Sequence, residues 1–209
     1  MNKLILLIVM LLVFNSSTAF RYQAQFNDEG KVIYPDDYLI YLALKSDAEG
    51  HKNDAEWKLK RAATYGNKDA QYLLGKLYLQ KEQKIKGHAW LKLAGNNVGK
   101  SGFLIKALES GFSENDLALA AEYLAELKVT HNHTTAIKNR LKWAKQQKFT
   151  GTRIAGYVPP GLKIDNGSLE NSEVIYGDQI KNVIDEYVYN YRYDRGEVII
   201  RELEVIDSE

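Results

Sequence analysis

Residues 61–79, "RAATYGNKDAQYLLGKLYL", decide how this chain is read. Ala62 and Ala63 lie in a helix that stops at Gly66, and a second helix restarts at once toward Ala70, Leu74, Gly75 and Tyr78. A lone surface helix has no need of small residues at fixed places. Two helices folded back on each other do, because small side chains let their backbones approach. Gly66 is expected as the left-handed C-terminal cap, with Asn67 or Asp69 capping the next helix. The stretch therefore predicts the joint of a helical hairpin.

The hairpin recurs. Trp57 to Trp90 is a step of 33 residues, and Gly66 to Gly99 repeats that step. Each Trp is expected to open a helix with basic and aliphatic residues, and each Gly to close it, as in helical repeats. From Pro35, the residues Tyr38, Leu39, Leu42 and Ala43 fit one helical face, with Asp36 and Asp37 at the helix start. Asn53 and Glu56 have capping-box spacing ahead of a helix carrying Ala55, Leu59, Ala62 and Ala63. Ala70, Leu73, Leu74, Leu77 and Tyr78 follow at helical intervals. Ala89, Trp90, Leu93 and Ala94 then lead to the stop "GNNVG" at residues 95–99. A weaker third unit has a short helix in "GFLIKALESGF" and a longer one opened by the capping pair Ser113 and Asp116. Its predicted buried stripe is Leu117, Ala121, Leu124 and Ala125. A last helix over about residues 135–148 carries Ile137, Leu141 and Ala144, with Trp143 beside them.

"WKLKRAATYGNKDAQYLLGKLYL" (57–79) followed by "GHAWLKLAGNNVG" (87–99) resembles the Sel-one-like repeat, a relative of the tetratricopeptide repeat. That pattern joins an Ala-Ala-x-x-Gly helix end to an Ala-Gln-x-x-Leu-Gly-x-x-Tyr helix. Ala62, Ala63, Gly66, Ala70, Gln71, Leu74, Gly75 and Tyr78 occupy those places here. The sequence departs from the pattern after the Tyr helix, where "QKEQKIKG" replaces a glycine-rich loop. The resemblance implies a binding scaffold, in which stacked helix pairs leave a concave surface for a protein or peptide partner.

The flanks differ in character. Lys3, the eleven apolar residues from Leu4 to Phe14 and the small residues Ser17-Thr18-Ala19 have the layout of a cleaved signal peptide. Eleven residues at ~1.5 Å each fall short of a ~30 Å hydrocarbon core. No stable membrane insertion is expected after cleavage. With no cysteine, the chain has no lipoprotein attachment site, and its stability must come from packing. The formal charge of +1 falls to about zero without Lys3, which argues against nucleic acid as a partner. Residues 20–34, "FRYQAQFNDEGKVIY", alternate about an "NDEG" turn as a modest hairpin. Beyond Phe149, "TGTRIAGYVPPGL" reads as a linker and "IDNGSLENSE" as loop. Ile180, Val183 and Ile184 fit a helix over 176–186. Past that point "VIDEYVYNYRY" and "EVIIRELEVI" flank Asp194-Arg195-Gly196 as a predicted hairpin, with Tyr187, Tyr189, Tyr191 and Tyr193 alternating onto one face.

Candidates for chemistry are few. His131 and His133 would need a third ligand from elsewhere to hold a metal, and a polar loop is the preferred reading. The pairs Asp36-Asp37 and Asp185-Glu186 and the "RELEVIDSE" tail lack the separation across a cleft that acid–base catalysis needs. No nucleophile elbow, phosphate loop or dinucleotide fingerprint is present, and the glycines at 95–102 close a helix rather than follow a strand. Trp57 and Trp90, at matching repeat places, are read as inter-helix packing ahead of ligand platforms. Asn132-His133-Thr134 and Asn166-Gly167-Ser168 match the N-glycosylation pattern. The tyrosine row is the candidate partner-binding element: its rings either bury on the helical body, the preferred reading, or form an amphipathic strip for a partner.

The expected fold is mainly α: a short α-α superhelical repeat array with a small C-terminal β-rich extension. Its expected parts are a signal peptide (1–19), an N-terminal extended segment (20–34), the helical repeats (35–149) and the extension (150–209). The expected function is an exported, non-enzymatic interaction scaffold without cofactor or metal, periplasmic or secreted, with an unidentified protein or peptide partner. The alternative is a cell-wall glycan-binding protein or enzyme with its site in the extension.

Overall fold

The computed structural model describes residues 26–27, 31–149, 153–165 and 174–189. The expectations for residues 1–19, for Tyr191 and Tyr193, for the Asp194-Arg195-Gly196 turn and for Asn166-Gly167-Ser168 lie outside the described residues. Within them the chain is mostly helical, and adjacent helices pack on one another. The order is α1 (Pro35–Ala48), α2 (Lys52–Ala63), α3 (Lys68–Gln80), α4 (Lys84–Ala94), α5 (Ser101–Glu109), α6 (Glu114–Thr130) and α7 (His133–Gln146). Strands β1 (Lys163–Asp165) and β2 (Val174–Tyr176) and helix α8 (Gly177–Tyr189) complete it.

The joint at residues 61–79 forms as its chemistry requires. Gly66 has φ of +78°, a conformation that costs a side-chain-bearing residue energy, and its N–H donates to the Ala63 carbonyl at 2.9 Å. Asn67 is the cap of α3, its Oδ1 accepting from the Ala70 N–H at 3.0 Å. Ala62, Ala63 and Ala70 are sealed where α2 meets α3. Gly75 has a different neighbour from the one the joint implies. It crosses α4 at Gly87, where a Cβ on Gly75 would stand 2.7 Å from Leu91 and 3.2 Å from the Gly87 carbonyl oxygen. A Cβ on Gly87 would in turn meet Leu79 at 2.6 Å. Two glycines thus set the approach of α3 and α4.

Polar side chains tie α2 to α3 outside this apolar seam. The Glu56 carboxylate accepts from the Tyr78 hydroxyl at 2.7 Å and from Lys81 at 2.5 Å, and pairs with Lys60 at 2.7 Å. Burial alone would raise its pKa. The hydrogen bonds from Lys60, Lys81 and Tyr78 outweigh burial and bring it down to about 2. Asn53 and Glu56 therefore form no capping box, since α2 begins at Lys52 with no side-chain cap. The box at Ser113 and Asp116 does form, with Ser113 Oγ accepting from the Asp116 N–H at 3.2 Å.

The first core joins Ala43 of α1, Leu59 of α2, Leu74 and Tyr78 of α3, Trp90 of α4 and Leu127 of α6. The inward face of α6 is Ala120, Tyr123, Leu124 and Leu127, whereas the expected stripe residues Leu117, Ala121 and Ala125 are exposed. The run "DLALAAEYLAEL" is apolar on more than one side, so periodicity could not choose between faces. Neither Trp57 nor Trp90 opens its helix, since α2 starts at Lys52 and α4 at Lys84, and the two also part company. Trp90 is 1% exposed, but Trp57 is 54% exposed and carries the Arg61 guanidinium 4.9 Å from its ring centre.

A second core gathers both flanks of the helical array. Val32 comes from the N-terminal segment, Phe149 from the chain three residues beyond α7, and Ile180, Ile184 and Val188 from α8. Phe26 bridges Val32 in antiparallel fashion, and Asn27 Oδ1 accepts from the Lys31 N–H at 2.8 Å. The segments expected as separate flanks share this core with Leu141, Trp143 and Ala144 of α7. In the extension, β1 and β2 pair antiparallel with Lys163 opposite Tyr176 and Asp165 opposite Val174. The strand expected over Tyr187 and Tyr189 is helix instead, because Ile180, Ile184 and Val188 recur every four residues and all are buried. That spacing overrides the period-two signal of the tyrosines.

Gly75→Leu should overpack the α3–α4 crossing and cost about 1–3 kcal/mol, read as a lowered Tm. An unchanged Tm would contradict the crossing. The lowered pKa of Glu56 also sets a pH dependence. Its contribution is complete above the unfolded value of about 4.5 and is lost as pH falls toward about 2. Glu56→Gln should therefore reduce stability at neutral pH and flatten the acid limb of a stability–pH curve measured by urea unfolding.

Candidate interaction surface

Asp36 follows Pro35 in the first turn of α1, where the helix dipole favours a carboxylate, and its side chain is buried. Oδ1 accepts from the Tyr187 hydroxyl at 2.7 Å, and Oδ2 from Asn67 Nδ2 at 3.0 Å. Capping α3 commits the Asn67 oxygen to Ala70, which turns its amide nitrogen toward Asp36. Arg140 of α7 lies beside this pair, its Nη2 3.9 Å from Asp36. Its Nε donates to the Tyr65 carbonyl at 2.8 Å and its Nη1 to the Tyr187 carbonyl at 2.7 Å. Asn139 adds a bond to the Thr64 carbonyl at 2.9 Å. One cluster therefore ties α1, the α2–α3 turn, α7 and α8 together.

Aromatic rings enclose the cluster. Tyr34 stacks on Tyr187 with centroids 4.1 Å apart, and Trp143 meets Tyr187 edge-on at 5.2 Å. The Arg140 guanidinium lies 4.4 Å from the Tyr187 ring centre, a cation–π contact. Burial, then the Asp36 charge and hydrogen bond, pushes the Tyr187 hydroxyl well above the ordinary tyrosine range. Tyr187 thus remains a proton donor to a buried carboxylate. The arrangement ties the helices together through paired polar atoms.

Tyr187 and Tyr189, the two described members of the tyrosine row, do not share a face. Tyr187 turns into the joint, while Tyr189, two residues on along the same helix, is 61% exposed. A second exposed aromatic group lies on α1, unread in the sequence. Tyr38, Tyr41 and Leu44 are 40%, 62% and 50% exposed, and the two tyrosine rings pack together at 6.5 Å. Tyr38 had been grouped with the inward residues Leu39 and Ala43, but it points away from them. The signal that separates the faces is the pair Ala43 and Ser46, small residues buried against α2 and three apart.

The other candidates have structural places. His131 is buried against Trp90, edge-on at 5.0 Å, and its Nδ1 lies 3.1 Å from the Leu127 carbonyl. Burial lowers its pKa despite that hydrogen bond. His133 begins α7, whose cap is Asn132. Among the described residues no group of three His, Cys, Asp or Glu side chains is placed to hold a metal ion. The glycine-rich loop at 95–102 follows α4, and its own carbonyls fill the start of α5: Ser101 N–H donates to Val98 at 3.0 Å and Gly102 N–H to Asn96 at 3.2 Å. Asp36 and Asp37 are separated in role, the first buried in the joint and the second exposed. No protein-family model, curated protein or solved structure matches the chain.

Tyr187→Phe keeps the ring but strips a donor from a buried carboxylate, and should cost about 1–3 kcal/mol by urea unfolding. Tyr189→Ser should stay within about 0.5 kcal/mol of the parent. Equal losses at the two positions would contradict the assignment of faces.

Proposed function

We propose that the chain is an exported, non-enzymatic protein-interaction scaffold of the Sel-one-like repeat class, whose helix pairs stack as a short α-α superhelix. The observation that carries this reading is the exposure of Tyr41 and Trp57 on helices whose opposite faces are locked into the first core. Aromatic rings of this kind, here with Arg61 against Trp57, supply much of the binding energy at protein interfaces. The proposed partner is a protein or peptide of the cell envelope, reached after cleavage behind Ala19. The low net charge fits such a partner better than nucleic acid. Among the described residues no helix is long and apolar enough to cross a membrane.

A second reading, glycan binding, rests on Tyr157 in the 153–162 loop and Tyr176 in β2, both exposed, with Lys163 5.8 Å from the Tyr176 ring centre. Flat rings at a surface suit sugar faces. Co-sedimentation with purified peptidoglycan that disappears in a Tyr157→Ala/Tyr176→Ala variant would favour it over the scaffold.

Mass spectrometry of protein from an envelope fraction should find Phe20 as the N-terminus, and an intact Met1 would oppose cleavage. Cross-linking pull-downs from envelope extract should enrich the same protein with the parent chain and lose it with Trp57→Ala. Repeated recovery of no partner would count against the scaffold.

A further inference from the structure

Charge is unevenly placed along this chain. It carries 28 Lys and Arg against 27 Asp and Glu, yet residues 127–164 hold eight of the cations and no acidic residue. The fold gathers five of them at one place. Lys138, Lys142 and Lys145 are exposed and fall at i, i+4 and i+7 of α7, so they share one side of that helix. The opposite side is fixed by Ala136 and Arg140, both buried, and by Trp143 and Ala144 against the second core. Lys148 follows the helix end, and Arg153 stands on the loop that folds back onto it; both are exposed. In that loop the Gly156 N–H donates to the Gln147 carbonyl at 2.7 Å, and a Cβ on Gly156 would stand 3.0 Å from Lys145 Cα. The same loop sets Ile154, 64% exposed, and Tyr157, 48% exposed, beside the cations.

These charges are not balanced from within the fold. α7 has no acidic residue, and none of the five cations is ion-paired among the described residues. Helix α8, which packs on α7, carries Asp178, Asp185 and Glu186. Asp185 is engaged by Lys181 at 2.8 Å, and no ion pair joins the other two to the lysines of α7. A concentrated, unbalanced cationic face attracts a polyanion. The loop decides which kind. Lysine and arginine suit lipid headgroups, tyrosine suits the membrane–water interface, and an exposed isoleucine gains by entering the acyl boundary. A soluble polyanion would use the cations but gain nothing from Ile154.

We propose that the exposed side of α7 and the 153–157 loop make a peripheral contact with a bilayer surface rich in anionic phospholipid. Lys138, Lys142, Lys145, Lys148 and Arg153 face the headgroups, and Ile154 enters the interface. The contact lies on the surface and spans nothing. It uses neither Tyr41 nor Trp57, on which the scaffold reading stands, so the two fail separately.

The test sediments the purified full chain with vesicles of phosphatidylglycerol and phosphatidylcholine, and with vesicles of phosphatidylcholine alone. The second set accounts for any contribution of the apolar run at residues 4–14. Binding to the anionic vesicles should exceed that reference and fall as salt rises from about 0.1 M to about 1 M, where the Debye length shrinks from ~10 to ~3 Å. Each cation near an anionic surface strengthens binding about fivefold, so Lys138→Gln/Lys142→Gln/Lys145→Gln should lower the excess on the order of 100-fold. Lys45→Gln/Lys100→Gln/Lys106→Gln removes three exposed charges elsewhere and should change it less than about twofold. Ile154→Ser should weaken vesicle binding roughly fivefold to tenfold. Tyr157, which the glycan reading also uses, is kept in every variant, and each should retain the parent Tm. Equal binding to the two vesicle types, or equal losses from the two lysine triples, would overturn the proposal. So would binding of soluble polyphosphate that matches the vesicles in affinity and ignores Ile154→Ser, which would assign the face to an acidic polymer.

Discussion

A carboxylate sealed from water needs donors from its own chain, and Asp36 obtains them from places far apart in sequence. Tyr187 lies 151 positions away and Asn67 lies 31. Without those donors, burying the charge would be strongly unfavourable. The start of α1 therefore settles only when α3 is capped and α8 is docked. Arg140 reinforces the same requirement by tying the Tyr65 and Tyr187 carbonyls through one guanidinium. The planar fork of arginine suits this double task in a way that the single ammonium of lysine would not.

That joint turns a run of stacked helices into a body with a closed end. The first core depends on close backbone approach at Gly75 and Gly87 and on alanines at the α2–α3 turn. The second depends on side chains from both flanks, Val32 on one and Ile180, Ile184 and Val188 on the other. The Asp36 cluster draws on α1, which carries Ala43 of the first core, and on α8, which carries Ile184 and Val188 of the second. Rigid placement of this kind benefits a binding surface, because less conformational entropy is lost when a partner docks. Tyr41 and Trp57 stand on helices held in that way.

Local features were legible in the sequence because they arise from neighbouring residues. The glycine stop at Gly66, the caps at Asn67 and Ser113 and the need for a small residue at Gly75 all follow from backbone chemistry within a turn or two. The partner of Gly75 was less accessible, since nothing in the joint itself says that α4 rather than α2 makes the closest approach. Trp57 and Trp90 shared a repeat position but had different neighbours, and burial depends on neighbours. The tyrosine row misled because period two was counted on Tyr187 and Tyr189 while the four-residue spacing of Ile180, Ile184 and Val188 governed the backbone. The Asp36 cluster was illegible for a deeper reason. Its members are ordinary helix-start, helix-interior and tail residues until the fold brings them together.

The central claim is that α8 belongs to the same cooperative unit as the helical array rather than to a detachable extension. Native-state hydrogen exchange measures this directly. The amides of Ile184, Tyr187 and Val188 should open with the same free energy as those of Leu74 in α3 and Leu91 in α4. Exchange of the α8 amides through a far cheaper opening, with the α3 and α4 amides still protected, would contradict the account.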